Sequence, residues 1–448
     1  MRQWSRGYEL LRYYVRFAFW LTHRRIVVTG REQIPKGKAI IFAANHQNAL
    51  MDPLALVCTN PLQTLWLARA DIFKNKTARP VLKFLKMVPI YRIRDGKENL
   101  SNNEQVFNQV AQVLESAQTV ALFPEAAHSG KRQMLPHKKA IPRIALEAED
   151  KNNFSLGLQI LPAGIYYDHY WKFNRTLLVQ YGSPIEIDRY KELYTENQQN
   201  AMLVLRNEIH ERLSPLTMQI NSEKYYVDYE NIRLLAGEEF AKKVNLNKDS
   251  VIRRFKADQL FVAKIEQLEV EQPSIFEQII KQTGNYFSEI GKAGIMDGQL
   301  NQAIKASFPK LLVQFIGALL SLPVFIFGFL FNAIPFYIPR LFLTRKVKDP
   351  AFLSTFNFAA GLILFPLFYL IEACLVFLFS GSLMMALVAF ALEPFAGKYA
   401  YQLSNFYSNL YQSIKLNLIN KTLLKRLSKY RKETISAIFT GSEKVVSP

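Results

Sequence analysis

The sequence predicts an α/β domain, a mixed sheet with flanking helices, followed by a helical segment and C-terminal membrane-embedded helices. Three observations carry this prediction. Between residues 23 and 190, short apolar runs rich in β-branched residues alternate with helical patterns. Residues 191–308 hold long helical patterns with frequent charges. From Leu311 onward come two almost wholly apolar blocks, each longer than a hydrocarbon core requires. The divisions that follow are an interfacial amphipathic helix over 1–22, the α/β domain over 23–215 and a helical segment over 216–308. Membrane-embedded hairpins follow over 309–397, and a basic helical tail over 398–448.

Composition narrows the functions. The chain of 448 residues is half apolar and 13% aromatic, so whole-chain disorder is excluded. A formal net charge of +19 calls for an anionic partner: nucleic acid, phosphorylated metabolites or an anionic membrane surface. The long apolar blocks favour the membrane, and no nucleic-acid module is present. Cys58 and Cys374 both lie in apolar stretches. They permit no disulfide framework and no cysteine-based zinc site, and two buried thiols suit a reducing compartment without deciding it. The six histidines show no close pair at ligand spacing, so no metal is expected.

The elements follow in order. Residues 3–22 read as a helix rich in Trp4, Tyr8, Tyr13, Tyr14, Phe17, Phe19 and Trp20, with Arg6, Arg12 and Arg16 spread through it. The arginines interrupt any signal-peptide core, and rings at headgroup depth with guanidiniums on phosphates suit a membrane interface. Strands are expected at Ile26–Thr29, Ala39–Ala44, Thr64–Ala68, Thr119–Phe123, Gln159–Ala163 and Leu177–Tyr181. Helices are expected at Asn103–Ser116 and at Ile141–Glu149, with Pro142 in the first turn. Asn200–Leu213 and Asn231–Lys243 read as further helices without a chemical motif. The apolar block Leu311 to Pro339 would be about 43 Å long as one helix, against a hydrocarbon core of about 30 Å. Pro323 and Pro335 interrupt it, and Ser380-Gly381-Ser382 breaks the second block, 356–396, so each block is expected to be a hairpin. Arg340, Arg345, Lys346 and Lys348 lie between the blocks, and lysines and arginines from Lys415 follow the second. Positive residues stay cytoplasmic, which places the α/β domain, the 340–355 linker and the tail on the cytoplasmic face. Glu372, inside the second block, is expected to face a protein or water interior.

Four clusters carry the chemistry. Strand Ala39–Ala44 ends in Asn45-His46 with Asp52 downstream, a general base and an orienting carboxylate. Val88-Pro89-Ile90-Tyr91-Arg92 is an apolar run ending in a cation. Leu122-Phe123-Pro124-Glu125-Ala126-Ala127-His128-Ser129-Gly130 leads into Leu135-Pro136-His137-Lys138. Ile160-Leu161-Pro162-Ala163-Gly164 is the fourth.

Over roughly residues 25–190 this ordered set resembles the glycerolipid acyltransferases, whose motifs are Asn-His with an Asp, a run ending in Arg, Phe-Pro-Glu-Gly-Thr-Arg-Ser, and a Pro-centred run. The resemblance implies an acyltransferase domain in which His46 and Asp52 are catalytic. It implies that Arg92, Glu125, His128, Lys138 and Pro162 bind substrate, with Arg92 and Lys138 on the acceptor phosphate. Two departures stand out. Five residues, Gln47 to Met51, separate His46 from Asp52 where most of the family has four, so the turn between them must differ. The family Gly, Thr and Arg are replaced by Ala126, Ala127 and His128, with His128, Lys131 or Arg132 as stand-ins for the arginine.

The expected reaction is acyl transfer from acyl-CoA or acyl carrier protein, a co-substrate with no further cofactor, to glycerol-3-phosphate or 1-acylglycerol-3-phosphate. His46 takes the acceptor's proton, and a thiolate leaves without strong acid help. No Gly-x-Ser-x-Gly elbow is present; Ser129 is the alternative nucleophile. Two other readings stay open: acylation of another lysolipid such as a lyso-aminolipid, and a non-catalytic membrane adaptor with a decayed site. Intact His46, Asp52, Arg92 and Glu125 argue against decay.

Overall fold

A computed structural model describes residues 5–91, 102–246, 250–343, 347 and 349–443. The chain forms two units, one of residues 1–218 with 346–359, the other of residues 219–345 with 360–448.

The first unit begins with α1 (Arg6–Thr22), β1 (His23–Thr29), β2 (Ile40–Ala44), α2 (Met51–Thr59), β3 (Thr64–Arg69), α3 (Ala78–Phe84) and β4 (Met87–Ile90). It continues with α4 (Asn102–Glu115), β5 (Thr119–Leu122), α5 (Ala140–Lys151), β6 (Gln159–Tyr167), β7 (Arg175–Tyr181), β8 (Ile185–Glu186), α6 (Lys191–Glu196) and α7 (Gln198–Leu213). The strands form one mixed sheet in the order β1-β7-β6-β2-β5-β3-β4, with β8 on β6. Pairs are parallel except β6 with β7 and β8. β2 lies between β5 and β6 and is buried along its whole length, which explains its unbroken apolar run. One face of the sheet packs Ile41, Leu122 and Ile160 against Val110 and Leu114 of α4, Ile144 of α5 and Leu205 of α7. Each such buried side chain contributes about 1.5–3 kcal/mol.

All six expected strands form. β4 was not expected, because Pro89 breaks a strand pattern. It pairs only with β3, at the end of the sheet, where the missing N–H of a proline is tolerated. The two-residue β8 is too short to leave a pattern.

Helix α1 has two faces. Leu10, Tyr13, Tyr14, Phe17 and Trp20 are exposed along one stripe. Arg12 is buried on the other, pairs with Glu9, and donates to the carbonyls of Pro61 and Leu62. It therefore fastens α1 to the domain and is not available to lipid phosphates.

The second unit contains α8 (Tyr226–Lys243), α9 (Val251–Glu271), α10 (Pro273–Lys292), α11 (Asp297–Ile304) and α12 (Phe308–Ile338). It also holds most of α13 (Ala351–Ser380), with α14 (Leu383–Ile414) and α15 (Lys421–Glu443). Buried ion pairs fix the charged helices: Arg233 to Asp258 at 2.9 Å, and Arg431 to Asp297 at 2.8 Å. Three helices, covering Phe308–Phe342, Ala351–Ser380 and Leu383–Ile419, are long and apolar enough to cross a membrane.

The first apolar block is a single helix, not a hairpin; Pro323 and Pro335 lie inside α12. Each proline removes one backbone hydrogen bond, whereas a turn inside apolar surroundings would strand several donors and acceptors. The second block does double back. Gly381 takes φ 64°, Ser382 N donates to Ser380 Oγ at 3.1 Å, and Ser382 Oγ caps α14 by accepting from Met385 N at 3.3 Å. Close packing of α12 on α14 requires glycine: a Cβ on Gly328 would lie 2.3 Å from the Ala396 carbonyl oxygen. Glu372 is half-buried beside Glu393 of α14, so it faces protein. Cys58 is buried, and burial pushes its thiol up to about 12. Cys374 is exposed, not buried as its apolar neighbours suggested.

Candidate active site

β2 delivers Asn45 and His46 at its C-terminal end, between two parallel neighbours. Asn45 is buried and zips this end to β6: its Nδ2 donates to Ile165 O at 3.0 Å and its Oδ1 accepts from Ile165 N at 2.7 Å. The chain then turns into α2. Met51 N donates to Asn48 O at 2.8 Å, and Ala49 sits at φ 37°. That left-handed residue absorbs the five-residue spacing and returns Asp52, in the first turn of α2, to His46.

Asp52 Oδ2 lies 2.9 Å from His46 Nδ1. The same oxygen accepts from Gln47 N and Asn48 N, both at 2.7 Å. The side chain is 1% exposed, at a helix N-terminus that favours negative charge. Because the carboxylate can only accept, His46 carries its proton on Nδ1. Nε2 then presents a lone pair, with no hydrogen-bond partner among the described residues. Phe123 stacks on the imidazole with centroids 4.0 Å apart. Gln47 Oε1 accepts from the Tyr170 hydroxyl, and Asn48 Nδ2 donates to Tyr170 O at 3.2 Å.

Glu125 is buried, and both its oxygens are taken by backbone donors. His46 N donates to Oε1 at 2.7 Å and Leu135 N to Oε2 at 2.8 Å. Burial pushes the carboxyl up to about 8. It thereby anchors the backbone of His46 and of Leu135. Ala126, where the resembled family has glycine, is at φ 58°.

His128 lies beside His46, with ring centroids 5.6 Å apart and planes at 75°. Its Nε2 is 3.0 Å from Asp349 Oδ2. Pro162 is buried inside β6, opposite Ala43 of β2. Lys138 has an exposed side chain without a hydrogen bond or ion pair among the described residues. Its N–H donates to Pro124 O at 2.7 Å, tying it to the Glu125 loop. Arg92 lies outside the described residues. Ser129 Oγ donates to Lys131 O at 2.9 Å, a turn contact that gives it no base. Arg132, a candidate stand-in for the family arginine, is buried and donates to Tyr167 O at 2.8 Å and Asp168 O at 3.0 Å.

Sequence reasoning missed the buried Arg175, which stacks over Tyr167 with its guanidinium carbon 4.8 Å from the ring centroid and donates to Tyr170 O. It also missed Asp349. Neither carries a local signal, because each meets the site only through folding. No group of metal-ligating side chains occurs among the described residues.

Residues 25–166 match the family model described as Acyltransferase. The chain is 31% identical to an uncharacterized acyltransferase of Schizosaccharomyces pombe over 34% of its own length and 24% of that protein's. It is 28% identical to glycerol-3-phosphate O-acyltransferase 1 of Saccharomyces cerevisiae, over 32% of this chain and 19% of that one. It is 22% identical to the 1-acyl-sn-glycerol-3-phosphate acyltransferase of Borreliella burgdorferi, over 47% of this chain and 80% of that one. The matched stretches thus span about a quarter or less of the two yeast proteins.

Proposed function

We propose that the chain, whose residues 25–166 match the acyltransferase family model, is a membrane-bound enzyme of phospholipid synthesis. It transfers a fatty acyl group from an acyl thioester, acyl-CoA or acyl carrier protein, to glycerol-3-phosphate or 1-acylglycerol-3-phosphate. The observation that carries this reading is the His46–Asp52 pair at 2.9 Å within that segment, with Nε2 left without a hydrogen-bond partner among the described residues. The acceptors are those in the names of the yeast and Borreliella relatives.

His46 Nε2 takes the proton of the acceptor hydroxyl as its oxygen attacks the thioester carbonyl. Asp52 holds the tautomer and stabilises the imidazolium. The tetrahedral intermediate collapses, the carbon–sulfur bond breaks, and the imidazolium returns its proton to the departing thiolate. An ester and a free thiol result, with no net change in protons or electrons. The three apolar helices and the exposed stripe of α1 support a membrane location. The basic residues around Arg340 and after Lys415 support a cytoplasmic site, which requires that the single helix α12 does not carry the chain across the membrane between the His46 domain and Arg340.

Purified protein in detergent, given acyl-CoA or acyl carrier protein thioester, should acylate one of the two phosphorylated acceptors in preference to a lyso-aminolipid. His46→Ala should lower the turnover by at least roughly 10²-fold. Acylation that survives this substitution unchanged overturns the mechanism.

A further inference from the structure

Asp349 lies far outside the residues that match the family model, yet it belongs to the same unit as His46. It opens a strap, residues 349–358, which from Ala351 onward is the first turns of the apolar helix α13. The strap is built into the site at several points. Thr355 Oγ1 accepts from Leu50 N at 3.2 Å, inside the turn between His46 and Asp52. Ser354 Oγ donates to Tyr170 O at 2.9 Å, the carbonyl that also receives Asn48 Nδ2. Phe358 meets Phe19 of α1 edge-on, with centroids 5.9 Å apart.

At the head of this strap Asp349 is itself fixed, its Oδ1 accepting from Ala351 N at 2.9 Å. Its other oxygen holds His128 Nε2. Phe352 closes against the His128 ring at 5.0 Å. The imidazole is thereby clamped between Asp349, Phe352 and the ring of His46. Its Nδ1 has no hydrogen-bond partner among the described residues. The Asp349 side chain is 52% exposed, so the pair adds little to folding stability. The hydrogen bond from His128 holds the Asp349 carboxyl below its ordinary range, which keeps it an acceptor. Arg132 is committed to backbone carbonyls, which leaves His128 as the described basic side chain touching the His46 ring.

We propose that Asp349 is a positioning residue of the acyl-transfer site, orienting His128 so that its Nδ1–H meets the acceptor's phosphate beside His46. The inference rests on the reading given under Proposed function. A carboxylate on one imidazole nitrogen and a phosphate on the other can both accept only from a ring protonated at both nitrogens, so His128 acts here as an imidazolium held between two anions, with a charge-assisted contact on each side.

The test uses the full chain in detergent, with glycerol-3-phosphate and 1-acylglycerol-3-phosphate as acceptors. Asp349→Asn should raise the KM for the preferred acceptor about tenfold while kcat stays within about twofold. Asp349→Glu should restore most of that loss. His128→Arg supplies a cation that needs no orienting carboxylate, so adding Asp349→Asn to it should move KM by less than about twofold. An unchanged KM in Asp349→Asn overturns the inference, as does a fall in kcat with KM unmoved. Wild-type protein that acylates neither acceptor overturns the proposed function itself, and this inference with it.

Discussion

One oxygen of Asp52 carries three donors, which makes this carboxylate both the partner of His46 and the staple of the turn that presents it. Asp52→Asn keeps the shape but removes the charge, so kcat should fall roughly 10²–10⁴-fold with little change in KM, measured by steady-state acylation. Ala126 pays a left-handed backbone at φ 58° without glycine's freedom. Ala126→Gly should stabilise the folded protein by about 1 kcal/mol, read from the denaturant midpoint. Glu125 gives a pH signature. Its carboxyl rises from 4.5 to about 8 on folding, so the folded state holds this proton more tightly than the unfolded one. The stability it contributes is full below about pH 4.5 and declines as pH rises to about 8. The melting-temperature difference between wild type and Glu125→Gln should shrink over that window, and a constant difference would show that Glu125 does not titrate there. The sequence made His46 and Asp52 legible because both lie on one short turn. Asp349 was not legible: a lone carboxylate in a basic linker says nothing of a histidine 221 residues earlier. Glu125 was found, but its role as a backbone anchor exists only once β2 and β5 lie side by side.

At the level of elements, the strands were legible wherever burial on both faces produced an uninterrupted apolar run, as in β2 and β6. β4 was hidden by Pro89, whose tolerance depends on a position at the edge of the sheet that the sequence does not state. The two apolar blocks contained similar warnings of a break and resolved them differently. Proline inside α12 leaves the helix intact, while Ser-Gly-Ser supplies both a left-handed residue and two hydroxyls to cap the turn. The tight seam between α12 and α14 gives a direct check. Gly328→Val should drive its side chain into the Ala396 backbone and cost about 1–3 kcal/mol, seen as a lower melting temperature in detergent with the His46 chemistry unaltered.

For the molecule as a whole, the chain leaves the strap along α13, turns at Gly381 and returns along α14. An even number of crossings between residues 349 and 421 is expected. Val347→Cys and Lys432→Cys, each introduced into a chain lacking Cys58 and Cys374, should therefore react with an impermeant thiol reagent from the same side of the membrane. Labelling from opposite sides would require one of the two helices to stop short of crossing. The strap also sets a schedule. The turn bearing His46 is bonded through Leu50 to a threonine made 305 residues later. At about 5–20 residues per second, roughly 15–60 s of synthesis separate the two. All of α12 leaves the ribosome in that interval. A nascent chain therefore lacks this bond at the turn beside His46 until the first of its three long apolar helices has been made.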